Sequence, residues 1–177
     1  MSLAACHPYN ENPGKKKPVK GPEKVLTAEE QAKLRYWLEQ EYRKNTYDPD
    51  TGTLTVSGSA TLAAGAANNI TLDEAANNFG TVVITSGNNV TLNDTGALAL
   101  GTSTISGTLG VTTGGALTDS GALTVTGTTT LAAGTGNDIT LDNANNFSAV
   151  VITSGKDVTL TDTNALTVSG TVTGALT

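Results

Sequence analysis

The chain has 177 residues, a formal net charge of −6 and a single cysteine. One cysteine cannot form an internal disulfide, and no apolar run approaches the roughly 20 residues that a membrane-spanning helix needs. The net negative charge is concentrated after residue 51, where eight Asp and Glu side chains accompany only one cation, Lys156. This charge argues against nucleic acid as a partner of that region.

Residues 1–26 are rich in Pro, Gly and Lys, which predicts a flexible, extended tail. Its lysines are interpreted as solvated charge rather than as ligands for phosphate. The sequence LAAC at residues 3–6 resembles a bacterial lipobox, which implies a lipid on Cys6 and attachment to a membrane. Only two residues precede the motif, whereas a secretory signal contains an apolar stretch of roughly 7 to 15 residues. A free thiol is therefore the favoured interpretation, and a trimmed signal is the alternative.

Residues 27–47 predict an amphipathic helix. Thr27 and Glu30 form a capping-box pattern, and basic residues lie near the other end, where the helix dipole favours cations. Hydrophobic residues at steps of three and four form one apolar face: Leu34, Trp37, Leu38 and Tyr42. Two interpretations are open. Either the helix caps the first turn of the domain that follows, as terminal repeats commonly require, or it docks on another subunit.

Residues 48–177 form the third predicted domain, which begins at the turn-forming sequence DPDTG. Its sequence is repeated, since ANNFGTVVITSGNNVTL at residues 76–92 returns as ANNFSAVVITSGKDVTL at residues 144–160. Equivalent residues of the two copies are 68 or 69 positions apart. A fixed period of this kind is the signature of a repeat architecture.

Shorter elements recur within each copy, such as the triplets ITL at residues 70–72 and VTL at residues 90–92. Each triplet alternates apolar, Thr and apolar residues, which predicts a strand with one buried face. Three such strands per turn of about twenty residues predict an all-β parallel β-solenoid of about six turns, roughly 30 Å long. The side chains expected in its core are Ile70, Leu72, Phe79, Val82, Ile84, Val90 and Leu92, with Ile139, Leu141, Phe147, Val150, Ile152, Val158 and Leu160 in the second copy.

Paired polar residues precede strands at matching positions: Asn68-Asn69, Asn88-Asn89, Asn137-Asp138 and Lys156-Asp157. One interpretation is a ladder of hydrogen-bonded side chains at a corner of the solenoid, similar to the Asn ladders of stacked strands. The other is that these residues only form turns. The sequence does not decide between them.

The sequence contains no catalytic, cofactor-binding or metal-binding constellation, so we expect neither an enzyme nor a cofactor. His7, the only histidine, lies in the tail, and the neighbouring acids Asp73 and Glu74 become Asp142 and Asn143 in the second copy. A repeated pair of carboxylates for glycoside hydrolysis is therefore missing. Asp94 and Asp162 carry the oxygen ligands that calcium prefers, but turn formation is the favoured interpretation of both.

The tract NNVTLNDTGALALGTSTISGTLGVTTGGALTDSGALTVTGTTTLAAG at residues 88–134 resembles the repeats of very large filamentous-haemagglutinin-like bacterial adhesins. The resemblance extends over about residues 52–177. It implies a right-handed parallel β-helix, secretion by the two-partner or autotransporter route, and a stalk-like role at the bacterial cell surface. It implies no catalytic residues.

The sequence ends within a repeat, at GTVTGALT, without a capping helix, charge or proline. An uncapped solenoid end exposes a row of backbone donors and acceptors. We therefore expect a secreted or surface-exposed structural protein whose copies stack end to end into a filament or stalk, with residues 27–47 as the docking element. The alternative is a fragment of a haemagglutinin-like adhesin that attaches to cells or glycans. A protein that orders ice or another surface is ranked last, because it would need wide rows of outward Thr.

Overall fold

The computed structural model describes residues 52–177 together with the backbone of Lys24 and Val25. Apart from these two residues, the tail and the amphipathic helix predicted for residues 1–47 lie outside the described part of the chain. Within that part the chain forms strands and turns and no helix.

Thirteen strands account for the regular structure of the described residues. They are β1 (Lys24–Val25), β2 (Leu54–Ala63), β3 (Ile70–Leu72), β4 (Asn78–Ser86), β5 (Val90–Asp94), β6 (Leu98–Leu100), β7 (Ser103–Ile105), β8 (Leu109–Thr113), β9 (Leu117–Asp119), β10 (Leu123–Ala132), β11 (Ile139–Ser154), β12 (Val158–Asp162) and β13 (Thr167–Gly170). All twelve pairings between them are parallel. The prediction of an all-β parallel β-solenoid is therefore confirmed.

Successive turns of the solenoid stack with equivalent residues in register. One column pairs six residues, one from each turn: Ile70, Val90, Leu109, Thr129, Val150 and Val168. The paired residues of neighbouring turns are 17 positions apart at Asn145 and Asp162, and 23 apart at Thr55 and Asn78. The solenoid therefore has about six turns, as the sequence predicts, and corners of different length absorb the variation.

The strands form two sheets on opposite sides of the core. Sheet 1 contains β1, β2, β4, β6, β9, the start of β11, and β12. Sheet 2 contains β3, β5, β7, β8, β10, the later part of β11, and β13. Strand β11 thus passes from one sheet to the other around an edge of the solenoid.

The core consists of the apolar side chains that alternate with outward polar ones. Of the fourteen expected core residues, thirteen are at most 1% exposed. The exception is Leu160, which is only partly buried because it faces the last turn. Phe79 and Phe147 are the largest buried side chains and lie at equivalent positions of the two copies.

The two copies of the repeat make the same local contacts. Gly65 and Gly134 both adopt a positive φ, 90° and 81°. They lie at the corner that follows β2 in the first copy and β10 in the second. The Gly65 N–H donates to Ser86 Oγ at 3.2 Å, and the Gly134 N–H donates to Ser154 Oγ at 3.0 Å. Sequence similarity between the copies therefore encodes identical corners as well as identical strands.

The repeat does not contain a whole number of turns. Residues 60–62 and 82–84 pair in sheet 1, whereas their equivalents, residues 129–131 and 150–152, pair in sheet 2. From Ala60 the column in sheet 1 passes through Val82 and Leu100 to Asp119, which is three turns, and Thr129 follows on the opposite side. One copy therefore spans about three and a half turns.

Candidate functional site: the open last turn

The last turn, residues 161–177, leaves one side of the solenoid uncovered. Strand β13 pairs only with β11, and no strand of the described chain pairs with its far side. All four of its residues are exposed. The end of the turn is held to the preceding one, because the Thr177 N–H donates to the Val158 carbonyl at 2.9 Å and the Leu160 N–H donates to the Thr177 carbonyl at 3.0 Å.

Apolar side chains lie at this end in positions that are buried in every earlier turn. Val168 continues the column through Val150 and is 36% exposed, whereas Val150 is fully buried. Leu176 continues the column through Ile139 and Val158 and is 54% exposed, whereas those two residues are at most 1% exposed. The last turn therefore presents both apolar side chains and an unpaired strand edge.

Corner side chains bind the turn that follows them. Asn69 Oδ1 accepts the Asn89 N–H at 3.1 Å and the Asn88 amide at 3.2 Å. Asn89 Oδ1 in turn accepts the Thr108 N–H at 3.0 Å. Both interpretations of these residues thus hold in part, because each side chain lies in a turn and also forms a rung of a ladder. The ladder links side chains mainly to backbone rather than amide to amide.

The second copy builds the same corner with charged residues. Asp138 Oδ1 accepts the Asp157 N–H at 3.4 Å, and Asp157 Oδ1 accepts the Ala175 N–H at 2.9 Å. Lys156 lies 3.5 Å from Asp138 and 2.9 Å from Asp157. Its hydrogen bond to Asp157 and the charge of Asp138 raise the pKa of Lys156. The pKa of Asp157 is lowered, chiefly by the hydrogen bond from the Ala175 N–H and next by the hydrogen bond from Lys156. At this corner, a ladder of ion-paired side chains therefore extends to the last turn.

Asp94 and Asp162 form corners in the same way. Asp94 Oδ1 accepts the Phe79 N–H at 2.5 Å, and its Oδ2 accepts the Gly96 N–H at 2.9 Å. Asp162 accepts the N–H groups of Phe147 at 2.7 Å and Asn164 at 3.1 Å. Turn formation, the favoured interpretation, is confirmed. Burial raises the pKa of Asp94, while its two backbone hydrogen bonds act in the opposite direction.

A buried polar cluster was not foreseen from the sequence. Asp119 accepts hydrogen bonds from the backbone and side chain of Asn143 and from the side chain of Asn145 at 2.8 Å. Asn145 is fully buried, and its Oδ1 accepts the Leu123 N–H at 2.8 Å. Asn77 makes the equivalent bond to Leu54 in the first copy, also at 2.8 Å. The recurring ANNF sequence was the available signal.

The outer face of sheet 1 carries a column of small and hydroxyl side chains that sequence reasoning also missed. Residues of successive turns pair directly in this column: Ser59, Thr81, Ala99, Thr118, Thr140 and Thr159. Four of its six members are Thr, and two of these, Thr140 and Thr159, are the central residues of the triplets ITL and VTL of the second copy. A second outward column lies two residues further along each strand. It contains Val83, Gly101 and Asp142, so it is not a continuous row of Thr. The face is therefore polar and not a regular double row of Thr.

A groove of about 400 Å³ lies beside the last turn. Its lining includes Thr124, Asn146, Phe147, Ser148 and Asn164, and the Asn164 amide donates to Asn146 Oδ1 at 2.7 Å. None of the lining residues is titratable. Among residues 52–177 no group of three or more His, Cys, Asp or Glu side chains is placed to hold a metal ion.

The site residues predicted from the sequence lie elsewhere in the chain. Cys6 and the proposed docking residues Leu34, Trp37, Leu38 and Tyr42 are outside the described residues, so their roles stay predictions. The part of the chain that the structure describes contains no helix long and apolar enough to cross a membrane.

Comparison with known proteins gives one match. A family model described as repeats of unknown function (DUF5649) matches residues 48–86 and 87–154, which together are more than half of the chain. No curated protein and no solved structure matches the chain.

Proposed function

Since this chain belongs to the DUF5649 family of repeats, whose function is unknown, we propose from its structure that it is a structural subunit of a filament or stalk at the bacterial cell surface. Copies would stack end to end, with the open last turn of one chain against the N-terminal end of the next. The observation that supports this proposal is the exposure of Val168 and Leu176 in columns that are otherwise buried.

Two physical effects favour association at this end. An unpaired parallel edge is a template for another strand, because its N–H and C=O groups need partners. Covering Val168 and Leu176 would also remove apolar surface from water. The two ends of the solenoid differ, so a contact between them joins unlike surfaces. Contacts of that kind propagate into fibres unless the rotation closes a ring.

The proposal also includes the handedness, the secretion and the structural role expected from the sequence. The winding is right-handed and the protein is secreted, as the resemblance to haemagglutinin-like repeats implies. The proposed role is structural, without a catalytic step or a cofactor. The groove beside Asn146 has no titratable side chain, so it provides no acid or base for a reaction.

A second candidate function is a segment of a long adhesin stalk, in which the same chain supplies the next turn. The observation that favours it is the repetition of corner and core contacts in two successive copies, because stacked repeats of this kind extend to any length. In this case the exposed Val168 and Leu176 would be covered within one chain. Attachment to cells or glycans would reside in the outward polar faces.

The experiment is a comparison of assembly by the full chain and by end-directed variants. Sedimentation velocity over a wide concentration range and negative-stain microscopy would measure assembly. Because Leu176 is already exposed, Leu176→Asp should leave the fold intact but prevent filament formation. The matched control is Thr118→Asp on the exposed outer face of sheet 1, which should assemble as the wild type does.

Three results would contradict the first proposal. A wild-type chain that stays monomeric at every concentration favours the second candidate instead. Filaments formed equally well by Leu176→Asp would show that the last turn is not the contact. Loss of filaments in Thr118→Asp but not in Leu176→Asp would place the contact on the broad face.

A further inference from the structure

We propose that residues 166–170, LTVSG, are a docking strand for a further repeat that begins with the sequence ANNF. This chain contains two such ANNF segments, residues 76–86 and 144–154. The inference rests on the proposed role of the last turn as a contact surface, and it identifies the strand that fits there.

The first argument is the recurrence of the docking-strand sequence. Residues 166–170 are identical to residues 54–58, and residues 123–127 differ from both only by Thr126 in place of Ser. The three segments lie in β13, β2 and β10 or begin one residue before the strand. The chain therefore forms the same strand sequence three times.

The second argument is that the first two of these strands have the same cover. Val56 pairs with Phe79, and Val125 pairs with Phe147, so each strand lies under an ANNF segment. Both valines are at most 1% exposed. The register of both pairs also shifts directly after the valine, which shows that the two contacts are alike in detail.

A hydrogen bond aligns each of these covers. Asn77 Oδ1 accepts the Leu54 N–H at 2.8 Å, and Asn145 Oδ1 accepts the Leu123 N–H at 2.8 Å. Both asparagines are fully buried, and a buried amide needs hydrogen-bond partners. The first Asn of an ANNF segment therefore binds the leucine of the LTV sequence, while its Phe packs on the valine.

The third strand lacks this cover. Val168 is 36% exposed, and Leu166 is only partly buried. Strand β13 pairs with β11 alone, so within residues 52–177 no segment supplies a Phe above Val168 or an Asn above Leu166. The last turn thus presents the sequence of a covered strand in an uncovered state.

One difference limits the contact. Strands β2 and β10 continue through Gly58 and Gly127, whereas β13 ends at Gly170, which has a φ of 122°. Recognition therefore depends on the start of the incoming segment, its Asn and its Phe. An added parallel strand of this kind gains backbone hydrogen bonds from the edge and specificity from the side chains.

The docking segment comes from a repeat that is not already stacked on both sides. In the folded chain both ANNF segments are internal, since Phe79 and Phe147 are at most 1% exposed. Strand β4, for example, lies between β2 and β6. We therefore assign the docking strand to a further repeat of the same family, added as the next turn.

A peptide of residues 144–154 tests this assignment. The labelled peptide is titrated with the full chain, at concentrations where sedimentation shows single chains, and fluorescence anisotropy measures binding. Phe147→Ser in the peptide removes the apolar contact and should weaken binding by about tenfold or more. The matched control is Ser148→Ala, at an exposed position of the same segment, which should bind as the unmodified peptide does.

Variants of the full chain locate the contact. Val168→Asp should abolish peptide binding, and because Val168 is already partly exposed, the fold should remain intact. Leu176→Asp lies outside the docking strand and should bind the peptide normally, although it should prevent filaments. Excess peptide should also slow amide exchange in β13 of the wild-type chain by about tenfold or more, because an added strand suppresses local opening.

Three outcomes would overturn the inference: unchanged exchange in β13 with excess peptide, equal binding of the Phe147→Ser peptide, and binding that survives Val168→Asp. Filaments formed by a chain whose β13 the peptide does not protect would overturn it and leave the filament proposal standing. A protected β13 in a chain that stays monomeric at every concentration would support it and contradict the filament.

Discussion

Ile70 and Ile139 occupy the same position in the two copies of the repeat, yet Ile70 enters the core from sheet 2 and Ile139 from sheet 1. Both are fully buried. Their neighbours are also equivalent, because Ile70 pairs with Val90 and Ile139 pairs with Val158. The chain thus builds the same packing twice on opposite sides of the core.

This relationship predicts equal effects of mutation at the two positions. Ile139→Asp should lower the free energy of unfolding by more than about 4 kcal/mol, because it buries an unpaired charge. Ile70→Asp should have a similar effect. Thr140→Asp, on the outer face of the same strand, is the control and should cost less than about 1 kcal/mol. Urea titrations followed by circular dichroism measure all three. A small effect of Ile139→Asp would contradict the assigned register of β11.

Thr129 predicts a stabilising substitution. It is fully buried between Leu109 and Val150 in an otherwise aliphatic column, and its hydroxyl has no hydrogen-bond partner. Thr129→Val keeps the shape of the side chain and removes this group, so it should raise the free energy of unfolding by about 1 kcal/mol. The exposed Thr130→Val is the control and should have little effect. A lower urea midpoint for Thr129→Val would mean that the hydroxyl makes a hydrogen bond in solution.

Truncation of the buried polar side chain of Asn145 should lower the free energy of unfolding substantially. Its amide donates to Asp119 and to the Leu141 carbonyl, and its oxygen accepts the Leu123 N–H. Asn145→Ala leaves that backbone group without an acceptor and should cost about 2–4 kcal/mol. The next residue, Asn146, is exposed, so Asn146→Ala should cost less than about 1 kcal/mol. Equal thermal unfolding of the two variants would argue against the buried cluster.

Two aspartates should respond to acid in opposite directions. The pKa of Asp94 is raised above 3.8, chiefly by burial, so the folded state holds its proton more tightly than the unfolded state. Its contribution to stability is therefore present below pH 3.8 and is lost as the pH rises through the folded pKa. The pKa of Asp157 is lowered by the Ala175 N–H and Lys156, so its contribution is present above pH 3.8 and lost below it.

Carboxyl-carbon NMR titration tests this assignment. The Asp94 resonance should titrate above pH 3.8 and that of Asp157 below it. In acid titrations of stability, Asp94→Asn should remove the component above pH 3.8, while Asp157→Asn should remove the component below it. A titration of Asp94 at or below its ordinary pKa would show that its hydrogen bonds to Phe79 and Gly96 outweigh burial.

Much of the fold is readable in the sequence because strand alternation is local. Ile70-Thr71-Leu72 specifies which side chains face the core, and the recurrence of such triplets specifies stacking. The half turn by which the second copy is offset from the first could not be predicted in this way. It depends on how many residues each corner contains, and corner lengths differ between turns. Asp119 was missed for a related reason, since its partners Asn143 and Asn145 are 24 and 26 residues away and meet it only through stacking.

This half-turn offset between copies would affect any longer array built from them. Each added copy would extend the rod by about 17 Å, at about 4.8 Å per turn, and would also rotate everything downstream by half a revolution. An even number of copies would restore the original orientation, and an odd number would reverse it. Gain or loss of one copy would therefore decide which side of the rod a distal element faces, independently of the small change in reach.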